Sequence, residues 1–221
     1  MAAIKEFMLF SMEHAPVSFS AAWNAAAQPL STAIPSYYEF RGHTVTPLSE
    51  PPADAKFGAI AEFWRSAPDA SMQAWQTPLI NGISTSKSVH FLAEEHIIKE
   101  GRGPVKFMSL LRRKPHIDAA TFSRAWRVTH PLVVRSVPEI WGNFLGYRQN
   151  HVIEGQCRNL DGSLMAIPFD GIVEIWFASQ ADLMATMMSA RYGEIIRPDE
   201  ETFVSLPNIR MLVTEEIVAA G

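Results

Sequence analysis

The chain has 221 residues, 48% of them hydrophobic and 19% charged, with a formal net charge of −4. Such a balance supports a folded core and gives no basic footprint for nucleic acid or an anionic membrane; the longest basic run is Arg112-Arg113-Lys114. The single cysteine, Cys157, excludes an internal disulfide and a cysteine metal cluster. No stretch is long and apolar enough to span a bilayer, and the N-terminus lacks a signal-like apolar segment, so a cytoplasmic protein is expected.

In chain order, Ile4 to Phe10 reads as a strand, followed by a helix from Ser18 to about Ala33. Strands follow at Tyr37 to Pro47 and Gly58 to Trp64. A short helix near Pro68 to Ile80 leads to a strand from Ser88 to Ile98. Residues 99–104, Lys-Glu-Gly-Arg-Gly-Pro, are short and rich in breakers and read as a linker. Beyond it, Val105 to Leu111 reads as a buried strand and Asp118 as a helix N-cap. Phe122, Trp126, His130 and Val133 recur at helical spacing and define an inner face. Strands are expected at Gly142 to Ile153 and Gly171 to Phe177. A helix after Ser179 is expected to carry Leu183, Met184, Met187 and Met188 inward. Ile209 to Val218 closes the chain as a strand. Two further segments, Glu154 to Pro168 and Arg191 to Pro207, read as irregular insertions of the kind that form functional loops.

The two halves repeat one series of signals. Phe19, Trp23, Gln28-Pro29-Leu30, Ile34-Pro35, Arg41-Gly-His43, Ala61-Glu-Phe-Trp64 and Leu92-Ala-Glu-Glu-His-Ile-Ile98 are answered in the same order. The answering series is Phe122, Trp126, His130-Pro131-Leu132, Val137-Pro138, Arg148-Gln-Asn-His151, Val173-Glu-Ile-Trp176 and Val213-Thr-Glu-Glu-Ile-Val218. The repeat unit is about 100 residues, the size of a domain. Each copy reads βαββαβ, the ferredoxin-like order. The fold class is therefore α+β, with copies at 1–98 and 105–221 joined by 99–104. One such unit covers only one sheet face with helices, so two sheets packed face to face within one chain are expected.

Several of these segments resemble the EthD domain family. They are Phe107-Met-Ser-Leu-Leu-Arg-Arg-Lys-Pro115, Phe122-Ser-Arg-Ala-Trp-Arg-Val-Thr-His-Pro-Leu132, Gly146-Tyr-Arg-Gln-Asn-His-Val152, Phe169-Asp-Gly-Ile-Val-Glu-Ile-Trp-Phe177 and Val213-Thr-Glu-Glu216. The resemblance covers nearly all of the second half and is weaker in the first. It implies the dimeric α/β-barrel superfamily, so the chain is expected to form that barrel within one molecule as a pseudo-dimer; whether it pairs further as a homodimer is left open. Characterised relatives tend to act on aromatic or polyketide-like molecules, and some resemble cofactor-independent decarboxylases.

His130 is the main catalytic candidate. It interrupts an apolar helix stripe just before Pro131, where a kink should free the Arg127 carbonyl, and it titrates near neutrality. The family pattern has this histidine, whereas the first copy carries Gln28, which cannot titrate. The plainer reading is a buried histidine bonded to the freed carbonyl. Tyr147, Gln149 and His151 share one strand face, with Arg148 and Asn150 on the other; which face meets the cleft is open. His151 and His43 are read as equivalent positions, and the resemblance implies substrate binding by His151. Arg148 is a candidate for holding a substrate carboxylate. Glu174 and Glu62 are carboxylates inside apolar strands, expected to be paired, and Glu174 is also taken with Tyr147, Trp126 and Trp176 as a candidate substrate-binding residue. Trp126, Trp176, Trp141 and the methionines suit either a flat aromatic ligand or plain core, and Tyr192 suits either a substrate contact or a surface loop. His14, His90, His96 and His116 have no ligand spacing, so no metal is expected, and a haem would need His130 as its axial ligand.

These residues lead to an expected cofactor-independent enzyme acting on a phenolic or other aromatic carboxylic acid, with decarboxylation foremost and His130 as general acid/base. Isomerisation, cyclisation, and non-catalytic binding of an apolar aromatic molecule are the alternatives.

Overall fold

The computed structural model describes residues 3–11, 37–47, 57–65, 83–165 and 169–220. The expected helices at 18–33 and 68–80, with Phe19, Trp23, Gln28 and Pro29, lie outside these residues. Among the described residues no helix is long and apolar enough to cross a membrane. The chain is α+β and divides into two compact units, each built on antiparallel strands. One holds residues 1–94, 152–168 and 214–221; the other holds 95–151 and 169–213.

In the first unit, β1 (Ala3–Ser11) and β2 (Tyr37–Pro47) both pair antiparallel with β3 (Phe57–Arg65). Phe7, Leu9, Ile60 and Phe63 are buried, and Phe7 stacks on Phe91 of β4 (Val89–Lys99) at 5.0 Å. Lys5 lies 2.9 Å from Glu62, both fully buried, and 4.2 Å from the centre of the Trp64 ring. His43 Nε2 lies 3.3 Å from the same carboxylate.

The second unit has the order βαββαβ. β5 (Val105–Leu111) and β6 (Gly146–Asn159) both pair antiparallel with β7 (Gly171–Phe177), and β8 (Arg210–Ala220) follows the last helix. Asp118 caps α1 (Ala119–Arg124) by accepting from the Thr121 N–H at 2.7 Å. A π-helical turn, Ala125–Thr129, joins α1 to α2 (His130–Arg135). Phe122, Trp126, His130, Pro131 and Val134 are its buried residues, so on the four-residue stripe Val134 replaces the expected Val133. The physical reason is the π turn. Three steps of four residues drift by about 120° on a straight α-helix, and a wider turn returns them to one face.

The expected strand start at Gly142 is corrected, because α3 (Pro138–Asn143) occupies that segment with Pro138 in its first turn, and β6 begins at Gly146. Ser179 caps α4 (Gln180–Met187) by accepting from the Asp182 N–H. Leu183 and Thr186 are buried, whereas Met184 and Met188 are exposed, which corrects their expected inward placement. The segment 191–207 is not irregular. It forms a π-helical turn (Tyr192–Ile196), α5 (Arg197–Phe203) and a 3-10 turn (Leu206–Asn208). The first insertion extends β6 to Asn159, and its tip is tied down by the Leu160 N–H donating to the Ser88 carbonyl at 2.9 Å.

The two units share one buried constellation. Lys5 stands opposite Trp64 and Arg41 opposite Glu62; Lys106 stands opposite Trp176 and Arg148 opposite Glu174. Lys106 pairs with Glu174 and lies 5.1 Å from the Trp176 ring centre. The sequence pointed to the two glutamates but not to these lysines. The same register corrects one equivalence. His43 and Asn150 each lie two residues beyond the arginine, and each touches the buried carboxylate, Asn150 at 2.9 Å. His43 therefore matches Asn150, and His151 matches Thr44.

Candidate active site

Strand alternation divides the expected site residues and their strand neighbours into two groups. Lys106, Arg148, Asn150, Glu174 and Trp176 share one face of the second unit's sheet. Phe107, Ser109, Tyr147, Gln149, Val173 and Ile175 share the other. The second face and the α1–α2 and α5 segments line a cleft that is partly open to solvent. Its walls are mainly apolar, with Phe107, Leu111, Val134, Phe144, Val173, Ile175 and Phe203 among them. Its polar points are Ser109, His130, Tyr147, Tyr192, Arg197 and Glu200.

His130 is 7% exposed, and its Nδ1 lies 2.7 Å from Asp199 Oδ2. An ionised carboxylate only accepts, so Nδ1 carries a hydrogen, and in the neutral imidazole Nε2 is then the nitrogen with the lone pair. Nε2 has no hydrogen-bond partner among the described residues, and the imidazole lines the cleft. Phe203 holds the ring edge-on at 5.6 Å. The sequence reading missed Asp199. The signal was there, since Arg197-Pro-Asp-Glu-Glu has its proline second, in a helix's first turn, but the segment read as loop.

Glu200, the next residue, faces the cleft too. Burial raises its carboxyl above the ordinary value, opposed by the nearby His130 and by the hydrogen bond from Tyr192. Tyr192 Oη donates to Glu200 Oε1 at 2.7 Å, and burial pushes its phenol well up, with the Glu200 charge adding to the effect. Tyr192 is thus a cleft residue, not a surface-loop tyrosine. Arg197 stands 3.5 Å from Glu200 and 5.3 Å from the centre of the Tyr192 ring.

Behind His130 lies a chain of hydrogen bonds that the π turn makes necessary. The His130 N–H bonds the Ala125 carbonyl. In that register the Trp126 carbonyl would next receive the N–H of residue 131, which is proline and has none. The carbonyl left open is therefore that of Trp126, not of Arg127 as the α-helical register implied. Gln149 Nε2 fills the gap at 2.8 Å and also donates to Tyr147 Oη at 2.7 Å. Gln149 Oε1 faces His151 Nε2 at 3.3 Å, and His151 Nδ1 faces Ser123 Oγ at 3.0 Å.

His151 packs on Trp126 with ring centres 4.3 Å apart and does not line the cleft. Burial, followed by His96 and Arg127, holds its imidazole down at about 3, so it is neutral. The structure thus makes it a support for Trp126 and Gln149. Gly171 permits this packing, since a Cβ there would come within 2.3 Å of the Trp126 ring.

Arg148 is also removed from the expected site. It lies on the opposite strand face, bonds Glu95 at 3.1 Å and stacks 5.3 Å from the Trp176 ring centre. Glu174 and Trp176 go with it, because residues 174 and 176 alternate with Val173 and Ile175 on the cleft side. The structure therefore brings His130, Trp126, Tyr147 and Tyr192 together, adds Asp199 and Glu200, and leaves Arg148, His151, Glu174 and Trp176 outside the cleft. Cys157 sits beside Met165 in the first unit, away from these groups.

The arrangement can remove a proton from an apolar molecule. An imidazole oriented by a carboxylate faces a largely apolar volume, where little water competes for the base.

Solved structures share the fold of the whole chain. An anthrone oxidase-like protein aligns at 10% identity with a TM-score of 0.66, over 100% of this chain and 93% of that one. A candidate monooxygenase from Lactobacillus acidophilus NCFM aligns at 13% identity and a TM-score of 0.53, over 100% and 96%. A mutant chlorite dismutase from Candidatus Nitrospira defluvii aligns at 10% and 0.51, over 97% and 92%. No curated protein sequence matches the chain. Residues 114–207, which contain His130, Tyr147, Tyr192, Asp199 and Glu200, match the family model of the EthD domain.

Proposed function

We propose that this protein is an enzyme that removes a proton from an apolar, phenolic or enolisable aromatic molecule, with His130 as the general base and Asp199 fixing its tautomer. The single observation that carries the reading is the 2.7 Å His130–Asp199 pair at the wall of a mainly apolar cleft. A polycyclic ketone of the anthrone type suits such a site. Its acidic C–H yields an extended enolate once His130 accepts the proton, and the aromatic rings fit the apolar walls. The fold is shared with proteins named as oxidase-like and monooxygenase. That likeness favours molecular oxygen as the partner of the enolate. In the overall change one CH₂ becomes C=O, O₂ is the oxidant and one water leaves.

Decarboxylation has less support. The arginine expected to hold a carboxylate, Arg148, faces away from the cleft, and Arg197 already stands beside Glu200. The tandem organisation, with copies at 1–98 and 105–221, belongs to the same proposal; it is supported by the matching Lys5–Glu62–Trp64 and Lys106–Glu174–Trp176 constellations.

The test is turnover of anthrone and of phenolic acids by wild type and His130→Gln, followed by oxygen uptake, carbon dioxide release and product mass. Oxygen uptake on anthrone that the variant loses is expected. Carbon dioxide release from a phenolic acid without oxygen uptake would restore the decarboxylase reading. A Soret band on adding haemin, removed by His130→Gln, would point to a haem protein instead.

A further inference from the structure

We infer that Tyr147 donates a hydrogen bond from its hydroxyl into the cleft, and that the ligand presents a phenolate or enolate oxygen to it. The inference deepens the proton-abstraction reading and rests on it for the ligand class.

The argument is one of hydrogen-bond polarity. The Trp126 main-chain carbonyl can only accept, so the Gln149 atom 2.8 Å from it must be the amide nitrogen. The same nitrogen lies 2.7 Å from Tyr147 Oη, so Gln149 donates there as well. Its remaining atom, Oε1, then accepts from His151 Nε2, and His151 Nδ1 accepts from the Ser123 hydroxyl. The whole relay has a single consistent direction, and it runs from Ser123 toward Tyr147.

The Tyr147 oxygen thus accepts from Gln149. Its own hydrogen has no acceptor among the described residues, and the side chain is 1% exposed while lining the cleft. A buried hydroxyl whose oxygen already accepts from the protein and whose hydrogen has no protein acceptor is placed to donate to whatever occupies the cleft. The bond accepted at the oxygen also polarises the O–H and strengthens it as a donor. Burial raises the phenol pKa, so it stays protonated and does not lose the hydrogen to bulk base. A base at His130 and a donor at Tyr147 in one cleft together suit an acid whose negative charge moves onto oxygen as the proton leaves.

The experiment is fluorescence titration with 1-naphthol, as an acidic phenol, and with naphthalene, as its apolar control. Tyr147→Phe should weaken 1-naphthol binding on the order of tenfold or more, the scale of a hydrogen bond to a charged oxygen. It should change naphthalene binding by less than about twofold. Equal weakening of both probes, or of neither, would overturn the inference. If Tyr147→Phe does not fold, 3,5-difluorotyrosine at position 147 keeps the shape and sharpens the donor. It should tighten 1-naphthol and leave naphthalene alone, and an unchanged ratio would overturn the inference. Because these are binding measurements, they separate the two claims. Selective loss of 1-naphthol without turnover of any substrate sinks the enzyme reading and keeps the donor. Unchanged selectivity with full turnover does the reverse.

Discussion

His130 Nδ1 lies 2.7 Å from Asp199 Oδ2, although 69 residues separate them in the chain. The pairing requires two local features, the π turn that keeps residue 130 on the inner face and the helical form of the 192–203 segment. If the pair sets the tautomer of a general base, Asp199→Asn should lower kcat on the order of 10²- to 10⁴-fold while leaving thermal unfolding within a few degrees of wild type. His130→Gln, which copies the residue at position 28, should lose about 10²-fold or more in rate. A folded Asp199→Asn protein with undiminished kcat would remove the carboxylate from the mechanism.

His151 supplies a pH prediction. Its folded imidazole is held at about 3 by burial, against an ordinary 6.5. Between those values the unfolded chain binds a proton that the folded chain does not, so stability rises with pH across this window. The slope contributed by this one group is about 1.4 kcal/mol per pH unit. His151→Gln, which cannot titrate, should show a flatter dependence of unfolding free energy on pH from 6.5 downward. Parallel wild-type and variant curves in that range would show that the imidazole is not held neutral.

Gly171→Ala should be costly for a steric reason. The added methyl would meet the Trp126 ring at 2.3 Å, and that ring is buried between Phe122 and His151. Overpacking of this kind costs roughly 1–3 kcal/mol. Denaturant unfolding measures the loss, and turnover should fall too because Trp126 lines the cleft. An alanine variant as stable as wild type would mean that Trp126 can move aside freely.

Gln149→Leu tests the relay behind the site. It removes the donor to the Trp126 carbonyl and the acceptor for His151, leaving buried polar groups unmatched at about 1–3 kcal/mol each. Chemical unfolding should register a loss in that range, and a neutral result would mean that water replaces the glutamine.

Much of the architecture was legible in the sequence. Alternation and apolar runs located β2, β5 and β7 to the residue, because a buried strand repeats every two residues and its ends are marked by Pro, Gly or charge. Asp118 and Ser179 announced their helices through capping chemistry. His130 stood out because it interrupts an apolar stripe. The partner Asp199 did not, because its segment has no strong apolar period and its meaning comes only from tertiary contact. Which strand face met the cleft was equally hidden. Alternation groups Tyr147 with His151 and Arg148 with Asn150, yet it does not say which group the helices cover. That missing step is why Arg148, Glu174 and Trp176 were expected in a cleft they do not reach. The π turn was hidden too. Position 131 showed a break, but the register that frees the Trp126 carbonyl depends on Gln149 arriving from another strand.

The central claim, that His130 is a base facing an apolar aromatic ligand, is tested most directly by hydrogen exchange. Anthrone is incubated anaerobically with the protein in deuterated buffer, and deuterium at its acidic carbon is followed by mass spectrometry. Wild type should accelerate exchange over buffer, and His130→Gln should exchange on the order of 10²-fold more slowly than wild type. Equal acceleration by wild type and by a folded His130→Gln protein would contradict the account.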